Sequence, residues 1–134
     1  MMELTIQDKT YNFNFGMGFL REINKTAVTN VNGMDGVKAN VGFRLALINL
    51  FDKDVETLFK VLMIANKGQN PRLTESILEE YIDSECDDIA ALFNEVLDFL
   101  KRSNATKETA TDTMEALNAE LNRQKKLAEL NAQI

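Results

Sequence analysis

The amino-acid sequence predicts an α+β fold that is predominantly α-helical, with an N-terminal β-hairpin packed on a bundle of five or six helices. Apolar alternation with a period of two is confined to the opening residues, whereas three-to-four spacing recurs from Phe19 to Leu100. A chain of 134 residues is also long enough to close one core without staples. Its 45% hydrophobic content is ordinary for a globular protein. Residues 1–106 read as the globular domain, and residues 107–134 as a polar linker followed by a marginal amphipathic helix.

The hairpin comes first. In Glu3-Leu4-Thr5-Ile6-Gln7, Leu4 and Ile6 alternate with polar residues, and Thr10 to Phe15 places Tyr11, Phe13 and Phe15 on one face. Asp8-Lys9 is the turn candidate between them. Those rings need helices to bury against, because an isolated hairpin is marginal. Gly16-Met17-Gly18 follows, and the spacing of Phe19, Leu20 and Ile23 predicts a short helix there. Thr26 to Gly36 has no period and holds Asn30, Asn32 and Gly33, which reads as a loop.

Four helices account for the middle of the chain. From Val37 to Phe51, Val41, Leu45 and Ile48 form a stripe that Phe43, Leu47 and Leu50 widen, so this helix is expected at the centre. Asp54 is the expected N-cap of the next, with Val55, Leu58, Phe59, Leu62 and Met63 as its core face. Gly68 and Asn70-Pro71 stop it. Thr74 caps a helix running to about Asp83. After a break at Ser84–Asp87, Asp88 to Arg102 carries Ile89, Leu92, Phe93, Val96, Phe99 and Leu100, with Lys101-Arg102 complementing the dipole at its end.

Beyond Ser103 the composition changes. Residues 103–113 hold four threonines and few apolar groups, which predicts a linker or frayed segment. Met114, Leu117 and Leu121 then form one narrow stripe, and Leu127, Leu130 and Ile134 a second that is out of register with it, since Gln124 and Ala128 fall where apolar knobs belong. A helix of this kind is marginal alone in water. The six residues form a candidate partner-binding stripe; the alternative is a frayed helix or one packed on its own domain.

Charge and missing residue types restrict the chemistry. With 15 basic and 21 acidic side chains the net charge is −6, which repels a polyphosphate; residues 101–134 are near neutral and form no nucleic-acid arm. No nucleic acid and no membrane is expected as a partner: no apolar run reaches about 18 residues, and Met1-Met2-Glu3-Leu4-Thr5 does not begin a secretory signal. Histidine is absent, so the commonest general base and metal ligand are missing. Cys86, the single cysteine, has no histidine to take its proton and makes neither a disulfide nor a zinc site. The pair Gly16 and Gly18 fails as a dinucleotide fingerprint because the third glycine falls at Arg21; close backbone approach is the better reading. Residues 75–98 carry nine acids and no base, but Asp83-Ser84-Glu85-Cys86-Asp87-Asp88 lacks the glycine of a calcium loop. That stretch reads as a solvated face or as an acidic docking surface for a basic partner. No catalytic residue, metal or cofactor is expected, and the chain reads as a non-enzyme.

Three segments resemble a known family. Leu4-Thr5-Ile6-Gln7-Asp8-Lys9-Thr10-Tyr11-Asn12-Phe13-Asn14-Phe15-Gly16-Met17-Gly18-Phe19-Leu20-Arg21-Glu22-Ile23-Asn24 looks like the start of tail assembly chaperones from long-tailed phages of Gram-positive hosts. Ala65-Asn66-Lys67-Gly68-Gln69-Asn70-Pro71-Arg72-Leu73-Thr74 is similar to a helix junction of that family, and Asp88 to Leu97 with Ser103-Asn104-Ala105-Thr106 is a third likeness. The likeness spans about residues 3–107 in order, and no motif within it is catalytic.

The resemblance implies a chaperone that coats the tape measure protein and recruits major tail protein subunits, working in the cytoplasm of the infected or lysogenic host and absent from the mature virion. Many relatives also exist in a longer, frameshifted form. A protein that coats a filament benefits from neighbour contacts, so self-association joins the expected partnerships. Met17, Met34, Met63 and Met114 offer adaptable contact or core filling. The rival function is a structural virion component, either a head–tail connector or a minor tail protein.

Overall fold

A computed structural model describes residues 1–30, 36 and 38–132. It is predominantly helical, with six α-helices among the described residues, and the N-terminal hairpin packs on them as expected. Strands β1 (Met2–Ile6) and β2 (Lys9–Phe13) pair antiparallel from Met2 opposite Phe13 to Ile6 opposite Lys9. The turn is Gln7-Asp8, one residue earlier than expected. Both residues take positive φ, 51° and 65°, the geometry that suits a two-residue hairpin's twist. Met2, Ile6, Tyr11, Phe13 and Phe15 are buried, so the period-two reading holds on both strands.

Helix α1 (Met17–Asn24) buries Phe19 and Ile23. After it the expected loop is partly a strand. β3 (Val28–Asn30) pairs antiparallel with β4 (Lys38–Asn40), a ribbon with no apolar alternation to announce it. Residues 31–35 of the expected loop, Met34 among them, lie outside the described residues. Helix α2 therefore starts at Gly42, not Val37, and runs to Phe51. It packs on α1, α3 (Val55–Asn66), α5 (Ile89–Arg102) and α6 (Lys107–Ala132), the central position expected of it. Its buried face is Phe43, Ala46, Leu47 and Leu50, whereas Leu45 and Ile48 are exposed. Periodicity admitted both stripes; the one that faces four neighbouring elements became core.

Close backbone approach occurs at Gly42 and not at the Gly16–Gly18 pair. A Cβ on Gly42 would overlap the Ile23 carbonyl oxygen and the Thr26 hydroxyl, while Gly18 has open space. Gly42 lets the start of α2 seat on the end of α1, where the Asn24 Oδ1 accepts a hydrogen bond from the Phe43 N–H at 3.1 Å and caps α2 from a distance. Asp54 precedes α3 but makes no bond to the helix amides; its carboxylate accepts from the Thr57 hydroxyl at 2.6 Å instead. Thr74 and Asp88 do cap, accepting from the Ile77 and Ala91 N–H groups at 3.3 and 3.0 Å. Gly68, with φ of +83°, ends α3 in the left-handed region as expected. Helix α4 (Glu75–Glu80) is shorter than expected, and Tyr81–Glu85 continues it as a π-helical turn closed by the Cys86 N–H on the Tyr81 carbonyl.

The expected linker is not extended. Ser103 to Thr106 make the α5–α6 turn, and residues 107–113 are the first two turns of α6, with Thr106 and Ala110 fully buried. The turn consumes the hydroxyl of Thr106, while Thr109, Thr111 and Thr113 are half-buried along α6. Thr106 donates to the Leu100 carbonyl at 2.6 Å, and its own N–H reaches Ser103.

Candidate partner-binding surface

Helix α6 changes character along its length. Its first turns pack on α2 and α5, and the side chains of Met114 and Leu117 are half-buried there. From Asn118 to Ala132 every residue is exposed, so about 22 Å of helix projects past its support, at 1.5 Å per residue. The two apolar stripes do not merge. At about 100° per residue, Leu127 and Leu130 lie about 140° around the helix from the line of Met114, Leu117 and Leu121. Met114 packs against the core and Leu121 continues the docked face one turn beyond its support. Ile134 lies outside the described residues.

The docked stripe borders a groove between α2 and α6 of about 430 Å³. Its apolar lining is Ile48, Ala116 and Leu117, and Arg44, Glu108 and Asp112 supply charge at its edge. Leu121 (38% exposed) carries apolar surface one turn further along α6, while Leu45 (45%), beside Ile48 (37%) on α2, lines a different groove with Ile23 and Gly42. Both α2 residues were assigned to core by periodicity, so the surface was missed. Leu45 and Ile48 stand in the middle of the stripe that spacing picked out, so spacing carried no signal of their exposure.

A second groove, of about 340 Å³, lies between α3 and the α4–π turn. Val55, Phe59 and Ile82 line it, with the carboxylates of Glu56, Glu79 and Asp83 around them. At one end of this region, burial first and then Cys86, Glu95 and Glu85 push the Tyr81 hydroxyl up to about 12. All of these neighbours disfavour a phenolate. The acids of residues 83–88 do not converge: among the described residues no three His, Cys, Asp or Glu side chains come together as metal ligands. No helix among the described residues is long and apolar enough to cross a membrane.

Residues 3–115 match the family model described as phage tail assembly chaperone protein, TAC. The chain belongs to the phage tail assembly chaperone family. No curated protein and no solved structure matches it. Set against this match, the three family-like segments meet at one joint of the fold. The Asn66 side chain, fully buried, donates from Nδ2 to the Asn12 carbonyl at 3.0 Å and to the Pro71 carbonyl at 3.4 Å. Its Oδ1 accepts from the Leu73 N–H at 2.6 Å and from Arg72 at 3.0 Å. The Asn14 N–H donates to the Ala65 carbonyl at 2.8 Å, and the Ser103 hydroxyl to the Phe15 carbonyl at 2.7 Å. These bonds tie the hairpin, the end of α3 and the end of α5 into one joint. The matched region extends to Glu115 and leaves the projecting part of α6 outside it.

Proposed function

We propose that this tail assembly chaperone holds an apolar helix of a tape measure protein along the α2–α6 groove while major tail protein subunits are recruited onto it. The supporting observation is the apolar lining of Ile48, Ala116 and Leu117, which crosses two helices and has Arg44, Glu108 and Asp112 along its edge. An amphipathic helix lays its apolar face into such a groove, and the polar edge lets the contact open again. A bare tape measure protein exposes long apolar stripes that aggregate, so reversible cover is the chemistry required. The complex forms in the cytoplasm of the infected or lysogenic host and performs no bond-making step.

Of the six stripe residues, Leu117 and Leu121 belong to this contact, whereas Met114 packs against the core. Point changes test it better than deletion, because residues 107–117 help to close the core. Co-expressed with its tape measure protein, the wild-type chain is expected to co-purify with it and keep it soluble. Ile48→Asp with Leu117→Asp is expected to lose both effects. Equal retention by the folded variant rejects the groove. Mass spectrometry of purified particles separates the reading from a structural virion component, which would be present in them.

A further inference from the structure

We infer that the α2–α6 groove selects the direction in which its client helix lies, because its two walls carry opposite charge. The inference rests on the groove proposed above and adds which helices fit it and which way round. On α2, Arg44 and Ile48 stand at i, i+4 on one face, and both are exposed. On α6, Glu108, Asp112 and Ala116 repeat that spacing and form an exposed rim. One wall is therefore basic and the other acidic, with Ile48 and Leu117 as apolar contacts between them.

Those charges are not spent within the chain. Among the described residues Arg44, Glu108 and Asp112 form no ion pair, so the walls do not neutralise each other. Local stability does not account for them either. Glu108 complements the dipole in the first turn of α6, but Asp112 lies a turn further on, where that effect has faded. Arg44 stands in the first turn of α2, the end of a helix at which a base is disfavoured.

An apolar stripe by itself lies in a groove equally well in either direction. Turning a helix end for end, with its apolar face kept down, exchanges its left and right flanks. A helix with acids along one flank and bases along the other therefore matches Arg44 and the Glu108–Asp112 rim in one direction only. Reversed, it sets like charges against each other. The client class is thus an amphipathic helix whose apolar stripe divides an acidic flank from a basic one, and the chaperone seated on it has one orientation. Exposed charges contribute little each, so the preference is modest and sensitive to salt.

Nuclear magnetic resonance of the full chain with designed helical peptides tests this. Three peptides share one leucine stripe. The first carries glutamates on its left flank and lysines on its right, the second exchanges the flanks, and the third has glutamine on both. A nitroxide at the N-terminus of each broadens the end of the groove it lies near. The two charged peptides are expected to broaden opposite ends of the α6 wall, Thr109 or Leu121, with about a tenfold preference at low salt that fades at about 1 M. The glutamine peptide is expected to broaden both ends. Arg44→Glu with Glu108→Lys and Asp112→Lys reverses both walls at exposed positions and is expected to exchange the ends. Both charged peptides at the same end, or at both ends equally, overturns the inference on the wild-type chain alone and leaves the groove standing; so do unchanged ends in the folded variant. Absence of broadening along the groove with every peptide rejects the groove itself, and this inference with it.

Discussion

The joint around Asn66 and the free end of α6 are both rich in polar residues, and their fates are opposite. At the joint, a buried asparagine spends donor and acceptor on four partners from two parts of the chain, and no buried side-chain polar atom among the described residues is left without a partner. At the free end, residues 118–132 are all exposed, and their hydrogen bonds and ion pair are local, between neighbours on one helix such as Glu120, Arg123 and Gln124. Polarity alone therefore does not mark a surface. A polar group enters the interior when the fold completes its hydrogen bonds, and stays outside when only its own helix does. The family match covers the first region and stops before the second.

The sharpest way to break this contrast is Asn66→Ala. It strands the Leu73 N–H and the Asn12 carbonyl, and a loss of about 3 kcal/mol is expected in urea unfolding, since each buried group left unpaired costs about 1–3 kcal/mol. Gly42→Ala comes next, because its Cβ meets backbone that cannot swing aside; about 2 kcal/mol of stability should go. Caps sharpen the comparison at lower energy. Thr74→Ala should cost about 1 kcal/mol, whereas Asp54→Ala, which removes no bond to a helix amide, should cost a few tenths, both measured by thermal unfolding. The smallest effect is expected at the free end. Leu130→Ala should change stability by less than about 0.5 kcal/mol, and a larger loss would mean that the exposed end supports the fold after all.

Much of the architecture was legible in the residues themselves. Tyr11, Phe13 and Phe15 alternate as a strand must, and Leu92, Phe93, Val96 and Leu100 recur as a helix must; both sets are buried. The candidate surface was legible only in part. Spacing placed Met114, Leu117 and Leu121 on one helix face, yet Leu45 and Ile48 were read as interior, and nothing in the spacing revealed that Leu127 and Leu130 end at an unsupported height.

The residues alone determined the hairpin and the helical body, the stop at Gly68 and the cap at Thr74. Each of these is settled within a few positions along the chain, by backbone sterics, periodicity and a hydroxyl beside its own helix. Tertiary structure decided which stripe of α2 became core, why Gly42 has no room for a side chain, what completes Asn66, and where α6 leaves its support. Those outcomes depend on partners far away in sequence, 19 positions for the cap on Phe43 and 88 for the bond from Ser103. No local pattern encodes a contact whose other half arrives from elsewhere in the fold.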